Sequence, residues 1–206
     1  MDSNLTNGYL ESYENARRLM GGKDPEQICA NTGCSYDGAA RRLHLRFLNT
    51  DHIISFPDGE VKREDGADVP AAVKALTAHY LLHARKTPLS GNMISFREVR
   101  GGGMNYYPVF HKRAVAPLLK AFERESEKLI RAGLGLGGAC AAYGDASVTV
   151  SVFPNIPVTY VVWRGDEENT ASASILFDSS VSCYLPCEDI VLAASLGAYE
   201  LIRNKE

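Results

Sequence analysis

Residues 146–163, which read ASVTVSVFPNIPVTYVVW, carry no charged side chain and are long enough to span a membrane. Valine alternates with serine or threonine from Ser147 to Val152, however, and Pro154 and Pro157 interrupt the apolar run. Alternation with a period of two is typical of a strand with one buried face. The segment therefore predicts a β-hairpin, with strands at 148–153 and 158–163, and argues against a transmembrane helix.

Segments on both sides of this hairpin add strands and helices. Alternating apolar residues predict strands at 43–47, 52–56, 139–143 and 172–177. Helical spacing and capping residues predict helices at 8–20, 25–33 and 186–202, and a further helix that contains Pro117 and ends near Arg131. The most regular helix is predicted for Val69–Arg85. Its apolar residues lie almost all round, so we expect it to be central and buried.

Residues 86–110 are rich in glycine, proline and aromatic residues. They predict a long ordered loop, of a kind that is usually functional, with at most a short strand at Met93–Phe96. Helices before, between and after runs of neighbouring strands predict the α+β class. The expected architecture is an antiparallel sheet with a central buried helix and flanking N- and C-terminal helices, in a single domain that covers residues 1–206.

The composition bounds the class of protein. Hydrophobic residues make up 45% and charged residues 23% of the chain, as in globular proteins, and the net charge is −3 from 22 basic and 25 acidic side chains. Because nucleic acids and anionic membranes are bound through clustered lysine and arginine, this balance predicts neither as a partner. Residues 1–6 have an acid where a signal peptide carries basic residues, so we expect a cytoplasmic protein.

His79 and His83 are the first candidate site residues. They are four apart on the predicted buried helix, so both imidazoles project from one face, as in helices that offer two metal ligands. Position 80 is Tyr, so the glutamate that zinc peptidases place beside the first histidine is absent. The alternative is structural: one histidine is hydrogen-bonded in the core and the other lies at the helix rim.

Five cysteines fit reduced thiols better than a disulfide framework. Cys29 and Cys34 are five apart and Cys183 and Cys187 are four apart, so neither pair has the two-residue gap of a zinc ribbon or redox dithiol. Buried free thiols are the default interpretation. The alternative is a composite metal site in which Cys34, exposed in a helix-end loop, joins the two histidines.

Acidic side chains follow two of the predicted strands. Asp166 lies in the loop after the strand that ends at Trp163, and Asp178 follows the next strand. Carboxylates there are most often solvated, or cap a turn as Asp178 would. The functional alternative is a pocket lined by carboxylates with cation-binding or acid–base character.

Gly133, Gly135 and Gly138 match the glycine spacing of a dinucleotide-binding loop. A predicted helix precedes the glycines and a predicted strand follows them, which is the reverse of the order that dinucleotide binding requires. We therefore expect a helix end and a connector.

Several short motifs together resemble the uncharacterised prokaryotic family called domain of unknown function 3786. They are KDP at 23–25, FPDGE at 56–60, HYLL at 79–82, SFR at 95–97, YP at 107–108, WRGDEE at 163–168, ILFDSS at 175–180, and Tyr184, Leu185, Pro186, Glu188 and Asp189. The resemblance covers nearly the whole chain. None of these motifs is a catalytic signature.

The resemblance implies a context rather than a reaction. Similar proteins belong to anaerobic bacteria and archaea, and some carry a small cysteine-rich iron–sulfur module of a kind also found in corrinoid iron–sulfur proteins. The chain departs from these patterns at two points. Cys187 stands where the family more often has threonine, which weakens a metal role for Cys183 and Cys187. The aspartate, histidine and glycine motif of corrinoid carriers is also missing, so any corrinoid contact would be of another type.

Together these observations lead to one expectation and two alternatives. We expect a cytoplasmic binding or accessory domain of an anaerobe, which holds a transition metal, a corrinoid or another small-molecule cofactor and has an iron–sulfur or corrinoid protein as partner. His79, His83 and Cys34 would bind metal, and the ligand would contact Tyr106, Tyr107, Asp166 and Asp178, in a pocket between the His79 helix and the Tyr106 loop. The alternatives are a metal-assisted or acid–base enzyme that uses the histidines and nearby carboxylates, and a structural partner-binding domain.

Overall fold

The computed structural model describes residues 3–206, and Met1 and Asp2, on which the signal-peptide argument partly rests, lie outside the described residues. The α+β class is confirmed, although the strands form two antiparallel sheets rather than one. The chain folds into two compact units. The first contains residues 1–88, 153–155 and 183–185, and the second contains 89–152, 156–182 and 186–206. A single domain over residues 1–206 stays a prediction.

The sheet of the first unit has the strand order β1-β2-β3-β4, with β1 at Ser35–Asp37, β2 at Arg42–Phe47, β3 at Thr50–Ser55 and β4 at Val61–Arg63. The strands predicted at 43–47 and 52–56 are confirmed. Leu43 lies opposite Ile54, and Leu45 opposite His52. Because alternate residues of a strand face opposite sides, this register turns Leu43, Leu45 and Phe47 inward and leaves Arg42, His44 and Arg46 exposed.

Three helices complete the first unit: α1 at Ser3–Met20, α2 at Pro25–Thr32 and α3 at Ala71–His83. Helix α2 begins and ends as its sequence predicts, since Asp24 accepts a hydrogen bond from the Glu26 amide and Gly33 closes the helix with φ at 75°. Helix α3 packs along α1 and is two residues shorter at each end than predicted. Pro70 and Ala84 are extended, with ψ of 145° and 135°, and so bound α3 on either side.

The sheet of the second unit has the order β5-β9-β8-β7-β6. The strands are β5 at Met93–Ser95, β6 at Ala139–Cys140, β7 at Ala146–Phe153, β8 at Ile156–Trp163 and β9 at Ser172–Asp178. Strands β7 and β8 form the hairpin predicted from residues 146–163. Among residues 3–206, no helix combines the length and apolar character needed to cross a membrane.

The predicted loop at 86–110 is wrong over its second half. Gly103–Phe110 forms helix α4, which runs through a π-helical turn at His111–Val115 into α5 at Ala116–Phe122. The glycines and the proline suggested a loop, but tertiary packing overrides them, because Phe110 is buried and stacks on Phe96 with ring centroids 4.1 Å apart. Tyr106 and Tyr107 therefore lie on a helix.

The last two helices are α6 at Glu127–Gly135 and α7 at Cys187–Arg203. Pro117 lies in the first turn of α5, and the segment predicted as one helix ending near Arg131 is divided between α5 and α6. Gly133 and Gly135 lie in the last turn of α6 and Gly138 precedes β6, so the glycine run ends a helix and leads to a strand, as predicted.

Candidate functional site

The residues of the predicted site are divided between the two units. Cys34, His79 and His83 belong to the first unit. Tyr106, Tyr107, Asp166 and Asp178 belong to the second. The roles assigned to them stay predictions.

The two histidines lie side by side on the last turn of α3. Their ring centroids are 5.8 Å apart and the rings are inclined by 68°. His79 is half-buried and His83 is exposed. Leu76 and Tyr80 are buried on the neighbouring part of the α3 surface, and exposure increases along the helix from His79 to His83.

Ser12 of α1 completes this cluster. Its hydroxyl lies 2.9 Å from Nε2 of His79, at hydrogen-bonding distance. A hydrogen bond between a hydroxyl and an imidazole fixes the orientation of the ring. The same contact allows a histidine to withdraw a proton from a serine. Sequence analysis missed Ser12 because 67 residues separate it from His79 and only the packing of α1 on α3 brings them together.

Cys34 is paired with Cys29. Cys29 lies in the last turn of α2, Cys34 follows Gly33, and their Sγ atoms are 2.9 Å apart. Burial raises the pKa of both thiols. For Cys34, hydrogen bonds from Cys29 and Thr32 oppose that rise in pKa. The sequence analysis named this pair and interpreted it as free thiols from its spacing of five residues. The left-handed turn at Gly33 returns Cys34 to the helix end and brings the two sulfurs together.

Tyr80 fixes the end of α2 against α3. Its hydroxyl donates a 2.7 Å hydrogen bond to the Thr32 carbonyl, and its ring stacks on Phe153 with centroids 4.1 Å apart. Burial raises the pKa of Tyr80, so the phenol stays protonated. Tyr80 thereby links the end of α2, beside the thiol pair, to the helix that carries the histidines.

No group of three or more His, Cys, Asp or Glu side chains among residues 3–206 is arranged to hold a metal ion. A metal held by His79 and His83 would therefore take its remaining ligands from water, from a cofactor or from a partner.

The two predicted pocket tyrosines have partners within the second unit. The Tyr106 hydroxyl donates a hydrogen bond to Glu188 of α7, and this carboxylate raises the pKa of Tyr106. The Tyr107 ring lies under the Arg97 guanidinium, 3.8 Å from the ring centroid. Both side chains are half-buried.

Asp166 and Asp178 lie at opposite ends of β9 and are not brought together. Asp166 closes the loop before the strand by accepting hydrogen bonds from the Glu168 and Asn169 amides. Asp178 is only 4% exposed and binds Ser90, the Gly91 amide and the Ser180 amide. Burial would raise the pKa of Asp178, but these hydrogen bonds outweigh it and lower the pKa to about 2.

No pattern in the sequence indicated an open groove of about 640 Å³ that lies in the first unit. It lies beside α1 and the turn at residues 57–58, and acidic, basic and uncharged residues line it. They are Glu14, Asn15, Arg17, Arg18, Gly21, Pro57 and Asp58. Arg17 pairs with Glu14 at 2.7 Å and donates to the Asp58 carbonyl. Its charge is thus already compensated within the groove.

Comparison with known proteins identifies the family. The family described as Domain of unknown function (DUF3786) matches residues 24–199. No curated protein and no solved structure matches the chain. The matched range contains the cysteine pair, both α3 histidines and all four predicted ligand-binding residues, and it leaves Ser12 outside. Because the match covers most of the 206 residues, the chain belongs to the DUF3786 family, as its sequence motifs predicted.

Proposed function

We propose that this protein is a cytoplasmic binding or accessory domain of an anaerobe and that it holds a transition metal, or a cofactor that contains one, at His79 and His83. The observation that carries the proposal is the pair of adjacent imidazoles on one turn of α3, with ring centroids 5.8 Å apart. Histidines four apart on a helix bind divalent transition metals because one small ion can contact both rings.

The surroundings of the pair support a binding role. The Ser12 hydroxyl restrains the His79 ring, so less side-chain entropy is lost when the ring binds a metal. His83 is exposed, which leaves the pair open to an ion or to the metal of a larger cofactor. A corrinoid is one such cofactor, since its cobalt accepts one imidazole as a ligand, and the family resemblance adds an iron–sulfur or corrinoid protein as the partner that would deliver it.

The first experiment is metal analysis and titration. Protein purified without oxygen and without a metal-binding tag is analysed for iron, cobalt and zinc, then stripped and titrated with Co²⁺ and Zn²⁺ by calorimetry and absorption. We expect one site per chain. His79→Ala and His83→Ala should each weaken binding by about tenfold or more, and Ser12→Ala should weaken it less, because the hydroxyl only orients the ring.

His44→Ala is the matched control, because His44 is an exposed histidine of the same unit on β2. It should leave metal binding unchanged. Equal binding by the wild type and by both α3 variants would refute the metal site. Loss of folding in His79→Ala, with no metal bound to the wild type, would instead support a core histidine. Titration of aquocobalamin with the same variants tests the corrinoid. One imidazole replaces the cobalt-bound water, so the spectrum should shift with the wild type and with His44→Ala, and the α3 variant that loses the shift identifies the histidine that binds.

The hydrogen bond between Ser12 and His79 favours an acid–base enzyme as the second candidate. In that case Ser12 is the nucleophile and His79 its base. A fluorophosphonate probe, which reacts only with activated serines, should then label Ser12 in the wild type and not in His79→Ala. An unlabelled wild type that binds metal would leave the binding domain as the function. A wild type that is unlabelled, metal-free and without a cofactor would favour the partner-binding domain.

A further inference from the structure

Cys29 and Cys34 form a thiol pair that the proposed metal site does not use. Their Sγ atoms are 2.9 Å apart, at the junction between α2 and β1. Both side chains are partly exposed, so a small reagent can reach them. A disulfide requires a sulfur–sulfur bond of about 2.05 Å, and the two atoms therefore need to approach by less than about 1 Å.

We propose that Cys29 and Cys34 are a redox modification site, at which a low-molecular-weight disulfide such as glutathione disulfide converts the two thiols into a reversible intramolecular disulfide. The proposal is independent of the metal site, since neither histidine takes part. It assigns to Cys34 a role different from that of a metal ligand. The two sulfurs are already held together by the turn at Gly33, so the second step of the exchange has a high effective concentration.

The exchange proceeds in two balanced steps. Cys34 loses its proton, and its thiolate attacks one sulfur of the reagent, which breaks the reagent's disulfide and releases one thiol. Cys29 then loses its proton and attacks Sγ of Cys34, which forms the protein disulfide and releases the second thiol. Two electrons pass from the two cysteines to the reagent, and two protons accompany the released thiols.

Cys34 is the attacking thiol because its ionised form has the better partners. When Cys34 is ionised, the Cys29 thiol at 2.9 Å can donate a hydrogen bond to it, and the Cys34 amide donates to the Thr32 hydroxyl at its side. Cys29 has the less favourable environment, since burial, Cys34, and the nearby acids Asp24 and Glu26 all raise its pKa. Burial and Glu26 also raise the pKa of Cys34, but its hydrogen bonds lower it. Tyr80 also interacts electrostatically with Cys34, but burial raises its pKa and the phenol stays protonated, so it adds no negative charge beside the pair.

Raised pKa values make the reaction slow but its product durable. Few thiolates exist at neutral pH, so we expect oxidation to accelerate as the pH rises from 7 to 9. Because the same environment disfavours a thiolate, it does not stabilise the reduced pair. A dithiol whose thiolate is not stabilised forms a disulfide that resists reduction.

A single tryptic peptide tests the proposal, because residues 24–41 contain both cysteines and no internal lysine or arginine. The native protein is incubated with glutathione disulfide, alkylated, digested and analysed by mass spectrometry. We expect most of this peptide to escape alkylation and to be lighter than the reduced peptide by two hydrogen atoms. Dithiothreitol should restore full alkylation.

The exposed Cys140, alone in the tryptic peptide 132–164, is the internal control, since its mixed disulfide proves that the reagent was active. In Cys29→Ser the mixed disulfide at Cys34 should persist, because the thiol that displaces glutathione is missing. In Cys34→Ser no intramolecular bond can form. If Cys140 is modified while peptide 24–41 stays fully alkylated in the wild type, or carries only mixed disulfides, the proposal is overturned.

Discussion

Asp178 shows how one side chain can organise a loop. Its carboxylate accepts hydrogen bonds from Ser90, Gly91 and Ser180 and so joins the segment before β5 to the end of β9. Two of these donors lie 87 or 88 residues away in the chain. The residue that sequence analysis assigned to a ligand pocket is thus held by backbone amides of its own unit.

Replacement of Asp178 with Asn should destabilise the fold by about 1–3 kcal/mol, because charge-assisted hydrogen bonds to a buried carboxylate are lost. The pH dependence has a definite sign. With a folded pKa of about 2 against 3.8 for the free side chain, Asp178 stabilises the fold above pH 4 by about 2 kcal/mol, and this contribution is lost as the pH falls towards 2. Urea unfolding of both proteins at pH 7 and pH 3 measures it.

Asp166→Asn is the control, since Asp166 is exposed and binds only its own loop. It should leave the free energy of unfolding at pH 7 nearly unchanged. If Asp178→Asn were equally neutral at pH 7, the structural role of Asp178 would be wrong.

His52 makes the first unit sensitive to mild acid. It is 3% exposed, its Nδ1 lies 3.1 Å from the Thr50 carbonyl, and it packs edge-on against Phe47. Burial lowers its pKa below 6.5. The unfolded chain therefore takes up a proton that the folded chain refuses, and stability falls as the pH drops below about 6.5.

We expect His52→Gln to reduce this loss. Denaturant unfolding at pH 7.5 and 5.5 should show a smaller difference for the variant than for the wild type. His44→Gln, on the exposed face of the neighbouring strand, should behave like the wild type. An unchanged difference in His52→Gln would assign the acid sensitivity to other groups.

At the scale of elements, Gly197 lets α7 pack closely on the sheet of the second unit. A Cβ at this position would lie 1.9 Å from the Tyr160 hydroxyl, which donates a 3.1 Å hydrogen bond to the Ala194 carbonyl. Alanine is normally favoured over glycine inside a helix by about 1 kcal/mol. Here the side chain would push α7 away from β8.

Gly197→Ala should therefore destabilise the protein, by about 1–3 kcal/mol or more, through overpacking. Gly8→Ala in α1, where a Cβ meets nothing within 4 Å, should be neutral or stabilising. Tyr160→Phe removes the clashing oxygen, so the double variant should be less destabilised than the sum of the single variants. Thermal unfolding of the wild type, Gly197→Ala, Tyr160→Phe and the double variant measures this coupling. Strict additivity of the single effects would show that the hydroxyl is not the obstacle.

At the scale of the whole molecule, the first unit is not a continuous piece of chain. Its core includes Phe153, which stacks on Tyr80 and packs against Phe47, and Tyr184, whose hydroxyl donates to the Thr87 carbonyl. Both aromatic residues come from distant segments that belong to this unit.

A fragment of residues 1–88 should consequently fail to fold cooperatively, because it lacks these side chains. In the full chain, Phe153→Ala should cost about 3–5 kcal/mol. Circular dichroism and thermal unfolding of the fragment test this prediction. A fragment that unfolds cooperatively at a temperature close to that of the full chain would contradict it and would also argue against the single domain predicted over residues 1–206.

Local patterns were sufficient wherever the deciding forces act between near neighbours. Alternating valines specified β7, Asp24 with Pro25 and Gly33 bounded α2, and the apolar content of residues 71–83 specified a helix with many buried side chains. The family was likewise readable from short motifs. The helical spacing of His79 and His83 correctly placed the two imidazoles side by side, since four residues are about one turn.

Tertiary structure decided everything that depends on contacts across long stretches of chain. Only the packing of α1 on α3 brings Ser12 to His79, and only the Phe96–Phe110 stack turns a predicted loop into α4. Periodicity and capping report the local conformational preferences of the backbone. The partners of a side chain depend on how helices and sheets bury apolar surface together, and that is a property of the folded chain as a whole.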